Sequence, residues 1–388
     1  MKKRVIYIGI GGTGGQMLIE LRRVSAASGM PPQGEETRCL YLDTSADVAD
    51  TPDWQQWAGD IPFLNLKEEA RSLNEMEQNP ELRDCVGGMR WQLAERLHVP
   101  VYEVEQALSR TNGAGGMRRY ARALFLQSWP AVQRILTPLT EGVEQLEFHV
   151  FFSAGGGTGS GCATDLLYRL EKICLRKPGS ILLPYAFFSA ETTPTQQRLA
   201  AELADWLELA DEDLLPHCYL STPVADLPTQ VQTLARALTC ARHYFYIGGE
   251  YYDHLYDSIR PRGTTPADRF ASLGYATGPA DTPAWLAGMH SMVTLCGEGK
   301  GPRNVLLIAL PRSAEDPRAL EIAIEDALED APPCRLSDTA FCSLAPGDAA
   351  QALLLQTGIA PARCALLQQF ATASIDEDDY FAARSDRD

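Results

Sequence analysis

Long apolar runs are missing from this chain of 388 residues. A membrane-spanning helix needs about 20 consecutive apolar residues, and no stretch of the sequence approaches that length. The short apolar run Val5–Ile8 meets glycines instead of a cleavage site, which indicates a first strand and not a signal peptide. We therefore expect a cytoplasmic protein with no membrane partner.

Paired cysteines and dense basic stretches are missing too. The 10 cysteines form no CxxC pair, which argues against a zinc site or a disulfide framework and fits a reducing compartment. The formal net charge is −17, whereas nucleic-acid binding needs clustered Lys and Arg to neutralise phosphates. We expect no direct contact with nucleic acid.

The most informative segment that is present is the glycine run Gly155–Gly161. It follows an apolar run, Phe148–Phe152, that predicts a buried strand, and it precedes Cys162–Lys172, whose apolar residues recur at helical spacing. A glycine-rich turn from a strand into a helix exposes backbone amides at the positive end of the helix dipole. This pattern predicts a phosphate site. No Lys-Ser or Lys-Thr pair follows the last glycine, as a P-loop would require, so recognition would depend on amides and on the Thr158 and Ser160 hydroxyls.

A second glycine-rich turn, Gly9–Gly15, lies near the N-terminus, between the first strand and an apolar helical segment. The next strand, Cys39–Leu42, ends in Asp43. Together they match the dinucleotide-binding fingerprint, in which the acid binds a ribose hydroxyl. Taken alone, this region predicts an NAD-dependent oxidoreductase.

A third glycine cluster, Asn112–Gly116, precedes an apolar helix predicted over Tyr120–Trp129. A Rossmann dehydrogenase does not require two further glycine-rich turns of this kind. A site for a nucleoside triphosphate at the carboxyl ends of a parallel sheet does require them, since each turn can present amides to the phosphates.

The order of four motifs, GIGGTGGQ, YLDTSAD, NGAGGMRR and SAGGGTGSG, resembles the tubulin and FtsZ family of GTPases, and especially its bacterial tubulin-like members. The resemblance implies an α/β fold, in which a Rossmann-like parallel-sheet nucleotide-binding domain is joined by a long central helix to a smaller α+β domain. The implied boundaries are 1–226 for the first domain with an insert at 51–110, 227–247 for the helix, 248–365 for the second domain and 366–388 for an acidic tail. The implied cofactors are GTP or GDP and Mg²⁺.

The resemblance also implies a set of nucleotide-binding residues. The first loop would surround the α- and β-phosphates, the third would contact the γ-phosphate, and Asp43 or Thr44 would lie near the γ-phosphate and its magnesium. Glu191 would bind the ribose, although it could equally cap the helix that follows. A bulky residue at Gly157 is expected to fill space that phosphate oxygens need. The full set is Gly11, Gly12, Thr13, Gln16, Asp43, Thr44, Gly113, Ala114, Gly115, Gly116, Gly155, Gly156, Gly157, Thr158, Gly159, Ser160 and Glu191.

Base specificity stays open between guanine and adenine. The family reads guanine with an Asn after the strand that corresponds to Cys218–Leu220, and here Ser221–Val224 contains none.

For hydrolysis, the resemblance implies an acidic loop that enters the nucleotide pocket of the next subunit. Asp253 is the first candidate catalytic residue and Asp257 the second, although both could be solvated acids of a helix. The implied partner is a second copy of the chain in a head-to-tail filament or oligomer, and the insert 51–110 or the tail could bind another protein. The alternative is a non-polymerising, nucleotide-sensing partner in a multi-gene system such as a defence system.

Overall fold

A computed structural model describes residues 2–28, 36–188, 201–202, 205–206, 218–220, 226–244, 246–247, 250–251, 270–279, 303–310, 316, 318–319, 322–323, 326, 338–343 and 349–359. They separate into two compact units. The first lies within Met1–Ile19 and Glu35–Pro216, and the second within Glu20–Gly34 and His217–Gln369.

The first unit is built on a parallel sheet. Its strands are β1 (Lys3–Ile10), β2 (Glu36–Asp43), β3 (Phe63–Asn65), β4 (Gln145–Ser153) and β5 (Ile181–Phe187), in the order β3-β2-β1-β4-β5. The central strand β4 is buried over all but its end residues, as parallel strands covered on both faces are. The chain leaves β1 toward β2 and β3 and later returns on the other side as β4. Ligands of such sheets bind outside the carboxyl ends of the strands where the order reverses, which here is between β1 and β4.

Among the described residues, three long helices begin in this unit: α1 (Gly11–Ser28), α8 (Arg118–Thr140) and α9 (Thr158–Leu175). Residues 51–110 form short helices between β2 and α8. These are α2 (Pro52–Trp57), α3 (Leu66–Glu69), α4 (Leu73–Gln78), α5 (Arg83–Val86), α6 (Met89–Leu97) and α7 (Val104–Arg110), with 3₁₀ turns at Pro80–Leu82 and Val101–Glu103.

Helix α8 is longer than the sequence predicted, since it continues past Trp129 through Pro130 and Pro138. A proline inside a helix removes one backbone hydrogen bond and strains the preceding turn. Burial of apolar residues in the second half of the helix, such as Val132 and Leu136, offsets that loss. Arg4 of β1 stabilises the C-terminal end of α8, because its Nη1 atom donates to the carbonyl oxygen of Leu139 at 2.6 Å.

The described residues of the second unit include a mixed sheet and one long helix. Its elements are β6 (Cys218–Leu220), α10 (Leu227–Tyr244), β7 (Tyr246–Ile247), β8 (Glu250–Tyr251), β9 (Phe270–Pro279), β10 (Arg303–Leu310), β11 (Asp338–Ser343) and β12 (Ala349–Ile359). Strand β9 pairs in parallel with β6 and antiparallel with β12, which is also antiparallel to β10, and β10 is parallel to β11.

The α/β fold class predicted from the sequence is confirmed, because the strands of the first unit are all parallel and alternate with helices. In the part of the chain that the structure describes, no helix is both long and apolar enough to cross a membrane.

Candidate functional site

Two helix N-termini meet at the carboxyl ends of β1 and β4. Helix α1 begins at Gly11 directly after β1, and α9 begins at Thr158 after the turn that follows β4. A Cβ atom added at Gly11 would lie 3.1 Å from the amide nitrogen of Gly159, so the two first turns are in contact. The leading amides of a helix have no intrahelical acceptor, and the helix dipole favours negative charge there. Together these turns form one surface that can bind an anion.

The loop after β2 joins this surface through Thr44. Its Oγ1 atom accepts a hydrogen bond from the Ala114 amide at 2.9 Å and lies 2.7 Å from Oγ1 of Thr158. One buried hydroxyl group therefore connects the loop after β2, the glycine cluster before α8 and the first turn of α9.

Asp43 lies directly behind Thr44 and accepts several hydrogen bonds. Its carboxylate accepts from the Tyr41 hydroxyl at 2.6 Å, from the Thr44 amide at 2.7 Å, and from the Thr158 hydroxyl. Burial raises the pKa of Asp43, and the hydrogen bonds that it accepts oppose that rise.

This environment argues against the oxidoreductase hypothesis. In a dinucleotide-binding site, the acid after the second strand must present its oxygens to ribose hydroxyls. Asp43 is only 5 % exposed, and both of its oxygens already accept hydrogen bonds from the protein. Its contacts organise Thr44 and Thr158 instead.

The glycine cluster before α8 has a backbone that only glycines adopt readily. Gly113, Gly115 and Gly116 have φ values of 56°, 60° and 74°, in the left-handed region. The loop is also tied to the one after β2, because Asn112 Nδ2 donates to Asp47 and Ser45 Oγ donates to Asn112 Oδ1 at 2.9 Å.

Two cations from the short-helix region hold the same loop in place. Lys67 Nζ donates to the carbonyl oxygens of Leu108 at 2.8 Å, Thr111 at 2.6 Å and Gly113 at 3.4 Å. Arg96 Nη2 donates to the carbonyl oxygen of Gly116 at 3.3 Å. Burial lowers the pKa of Lys67. Residues 51–110 thus brace the glycine cluster that lies beside the anion surface.

The expected reason for glycine at position 157 was wrong. A Cβ atom at Gly157 would lie 2.7 Å from Cα of Gly116, so it would push against the neighbouring loop and not into space reserved for phosphate. Glycine is needed at 157 because two backbones pass closely there. Gly156 is different, since the nearest atoms to its Cβ position belong to Ser153 at 3.5 Å, an ordinary contact.

The expected role of the Ser160 hydroxyl was also wrong. Ser160 is fully buried, and its Oγ atom donates to Glu202 Oε2 at 2.9 Å. Its side chain therefore serves the interior, and only its backbone amide, in the first turn of α9, can serve an anion.

The residues that border the anion surface differ in exposure. Gly12, Gln16 and Gly115 are exposed, while Thr13, Gly116, Gly156, Gly157 and Thr158 are half-buried and Asp43, Thr44, Gly11, Gly113, Ala114, Gly155 and Gly159 are buried. The exposed members lie at the mouth of the site, and the hydroxyl and carboxylate oxygens lie at its floor.

Magnesium would find oxygen atoms at this floor, which are the ligands that it prefers. Asp43 and Thr44 carry such oxygens, but both side chains are buried and hydrogen-bonded within the protein, so they would only complete the shell of an Mg²⁺ held mainly by phosphates and water. Within the described ranges, no group of three or more His, Cys, Asp or Glu residues could hold a metal by itself. The donor set thus fits a metal that arrives with a triphosphate.

Three expected site residues lie outside the described residues: Glu191 for the ribose, and Asp253 and Asp257 for hydrolysis. The tail 366–388 lies outside them as well.

The sequence did not predict the residues whose side chains stabilise the glycine-rich loops from the protein interior or from the short helices. Lys67, Arg96, Glu202 and Asp205 lie in no recognisable motif, so no local signal could have found them. Arg118 belongs to the third glycine motif, but only the structure reveals that it points into the interior.

Comparison with known proteins agrees with this geometry. The sequence profile of the tubulin-like family matches residues 6–204, which is more than half of the chain. A search of curated protein sequences gives no match.

Solved structures of low sequence identity share the fold. The chain is similar to CetZ2 from Haloferax volcanii, solved as a GTPγS-bound protofilament, with a TM-score of 0.59, 16% identity and 96% of each chain covered. It is similar to CetZ1 from the same organism, a GDP-bound monomer, with a TM-score of 0.57 and 13% identity over 96% of this chain and 98% of that one. FtsZ from M. jannaschii has a TM-score of 0.52 and 12% identity, with 92% of each chain covered. These relatives are archaeal, so the expected bacterial subgroup stays a prediction.

Proposed function

This chain belongs to the tubulin-like family, within the tubulin and FtsZ superfamily, and from that premise we propose that it binds GTP with Mg²⁺ and assembles head-to-tail into filaments. The observation that carries the proposal is the contact between the first turns of α1 and α9, beside the braced glycine cluster, where the strand order reverses. Three amide-rich turns at one place suit the successive phosphates of a nucleotide.

Each part of the site has a role in this proposal. The amides of Gly11 to Thr13 and of Thr158 to Ser160 bind the α- and β-phosphates, and those of Gly113 to Gly116 bind the γ-phosphate. Thr44 and Asp43 supply oxygens for Mg²⁺, which neutralises phosphate charge when it is bound. Lys67, Arg96 and Arg118, which the described residues place against these loops, donate to carbonyl or carboxylate oxygens. The negative charge of the phosphates is therefore compensated by the amides and the metal.

Hydrolysis would be completed by the neighbouring subunit, with Asp253 or Asp257 positioning the attacking water and Glu191 of the same subunit binding the ribose. A site shared in this way requires two different surfaces to meet, and repetition of such a contact gives a linear or helical filament. The protofilament form of one similar structure supports this arrangement, and the GTPγS and GDP bound to similar structures support guanine.

Equilibrium binding tests the nucleotide part. We expect the full chain with Mg²⁺ to bind labelled GTPγS more tightly than ATPγS and not to bind NAD. Gly12→Leu should weaken GTPγS binding at least about tenfold, about 1.4 kcal/mol, because the position is exposed at the mouth of the site. Gln133→Leu is the control, since Gln133 is exposed in α8, more than four turns beyond the glycine cluster, and leucine is as good a helix former as glutamine. Tight NAD binding without triphosphate binding would overturn the proposal.

Sedimentation, electron microscopy and phosphate release test the assembly part. With GTPγS we expect filaments, and with GTP a turnover per subunit that rises with protein concentration. Asp253→Ala combined with Asp257→Ala should keep GTPγS binding and reduce turnover. A chain that binds GTP but stays monomeric without turnover is the nucleotide-sensing alternative.

A further inference from the structure

A fully buried arginine lies directly behind the glycine cluster of the site. Arg118 is the first residue of α8 and has no exposed surface. Its Nη2 atom donates to Glu202 Oε2 at 2.5 Å and to Asp205 Oδ2 at 2.8 Å. Both acids are buried as well. An arginine in the interior needs such partners, because burying an unpaired charge is strongly unfavourable.

The same carboxylate reaches the other glycine-rich turn. Glu202 Oε2 also accepts the hydroxyl proton of Ser160 at 2.9 Å, and Arg118 Nη2 lies 3.4 Å from the carbonyl oxygen of Ser160. Since Ser160 lies in the first turn of α9 and Arg118 in the first turn of α8, one carboxylate oxygen connects the starts of both helices.

The two helices have no room to slide at this point. A Cβ atom at Gly161 would lie 2.4 Å from the carbonyl oxygen of Arg118 and 2.7 Å from Cβ of Ala121. The helix backbones are therefore in close contact directly beside the ion pairs. A change at Arg118 must be transmitted to both helix starts.

A gain in stability alone does not explain why this network is present in the interior. Replacing a buried ion pair by well-packed apolar residues is often neutral or stabilising, and Trp206, the chain neighbour of Asp205, already packs edge-on against Phe152 at 5.5 Å between ring centroids. A network of hydrogen bonds around one buried arginine is better explained by the two loops that it joins, since amides that bind one ligand must be held within about 0.5 Å of their working positions.

We propose that Arg118 is a positioning residue of the nucleotide site. Through Glu202, Asp205 and Ser160 it holds the starts of α8 and α9 in one arrangement, so that the loops 113–117 and 155–161 present their amides to the same triphosphate. The inference rests on the proposed function for the identity of the ligand. The coupling between the two loops is a property of the empty protein and can be measured without nucleotide.

The test compares Arg118→Lys with Arg122→Lys in the full chain. Lysine keeps the charge, but its ammonium nitrogen is one bond nearer to the backbone than Nη2, the single atom of Arg118 that donates to both carboxylates, so it cannot reach both from the same position. Arg122 is the matched control, because it joins the same two helices about one turn further along, and the hydrogen bonds described for it go to Asp165, with Nε donating to Oδ2 at 2.7 Å, and not to either loop. Ser160→Ala is a milder second variant that removes one hydrogen bond and adds no volume.

Hydrogen exchange without nucleotide is the first readout. Arg118→Lys and, more weakly, Ser160→Ala should speed exchange of the 113–117 and 155–161 amides together, while Arg122→Lys should leave both segments as they are in the unchanged protein. The coupling would be overturned if the exchange rate changed in one loop only. It would also be overturned if Arg122→Lys changed the exchange rates of both loops as much as Arg118→Lys does.

Nucleotide affinity is the second readout. Arg118→Lys should weaken GTPγS binding about tenfold or more and GDP binding clearly less, because the γ-phosphate needs both loops. Arg122→Lys should change neither affinity by more than about twofold. Equal losses for GTPγS and GDP, or wild-type affinities in Arg118→Lys, would refute the positioning role. If the unchanged protein binds no triphosphate, the proposed function fails, and the exchange experiment still decides whether Arg118 couples the loops.

Discussion

The two glycine-rich turns that form the anion surface have similar compositions and different surroundings. In the turn from β1 to α1, glycines pack against the sheet: a Cβ atom at Gly14 would lie 2.5 Å from the carbonyl oxygen of Phe151, and one at Gly15 would lie 2.8 Å from the Tyr41 ring. In the turn from β4 to α9, Gly159 packs against Ser153 of β4, while Gly157 packs against Gly116 and Gly161 against α8. The first turn is fitted mainly to the strands, and the second also to another loop and another helix.

The difference indicates that the turns have different tasks. A turn packed on the central strands shares their rigidity and can serve as a fixed reference for the ligand. A turn packed on the glycine cluster before α8, and bonded through Thr158 and Ser160 to buried carboxylates, is where the proposed coupling between the two loops would act. In both turns, one glycine has space for a side chain: Gly12 in the first and Gly156 in the second.

The largest effect is expected from breaking the first turn. Gly14→Ala places a methyl group within 2.5 Å to 2.8 Å of backbone atoms of Phe151 and Gly9, where central strands cannot yield easily. We expect a loss of about 3 kcal/mol or more in the free energy of unfolding, measured by denaturant titration. Gly12→Ala is the control, since its nearest neighbour is Val48 at 3.8 Å, and its stability should change by less than about 1 kcal/mol. Similar losses in both variants would contradict the packing account.

A smaller loss of stability and a larger loss of binding are expected in the second turn. Gly157→Ala should separate the turn from Gly116, with a cost of about 1–2 kcal/mol in unfolding free energy and a loss of GTPγS affinity of at least about tenfold. Gly156→Ala has ordinary contacts and should change the stability little. Calorimetric unfolding and binding titrations on the two variants separate these effects. Unchanged affinity in Gly157→Ala would show that the contact between the loops is unimportant for the ligand.

The smallest expected effect is a pH dependence that belongs to the second turn alone. Burial raises the pKa of Glu202 from 4.5 to about 8, although Arg118 and the Ser160 hydroxyl oppose the rise. A carboxyl whose pKa is raised on folding favours the folded state at low pH, and that contribution falls as the pH rises from about 4.5 toward about 8. The melting temperature should therefore decrease between pH 6 and pH 8.5, and Glu202→Gln should make this decrease smaller.

The Glu202→Gln variant also separates the contribution of Glu202 from that of the other ionisable groups in the same interior. Asp205 has a pKa raised by burial to about 6, so its contribution is lost mainly below pH 6. Arg118, Arg122 and Asp165 also act on these carboxyls, and all of them are retained in Glu202→Gln. An identical slope in the variant and the unchanged protein would exclude Glu202 as the source.

The fold class and the place of the site could be predicted from the sequence, since they depend on local patterns. Apolar runs of strand length that end in glycine-rich turns specify parallel strands followed by helices, and the carboxyl ends of such strands meet at one edge. The roles of single residues could not be predicted in the same way. Ser160 and Gly157 lie in the most recognisable motif, yet one side chain points into the interior and the other position faces a neighbouring loop.

By itself, then, the sequence determined the order of the elements, the three glycine-rich turns and, through them, membership of a nucleotide-binding family, because turn chemistry and hydrophobic periodicity act over a few residues. Only the tertiary structure decided which atoms face the ligand and which hold the loops. Lys67 contacts Gly113 across 46 positions of the chain, and Arg118 contacts Glu202 across 84. Contacts over such distances arise from packing, and no local pattern encodes them.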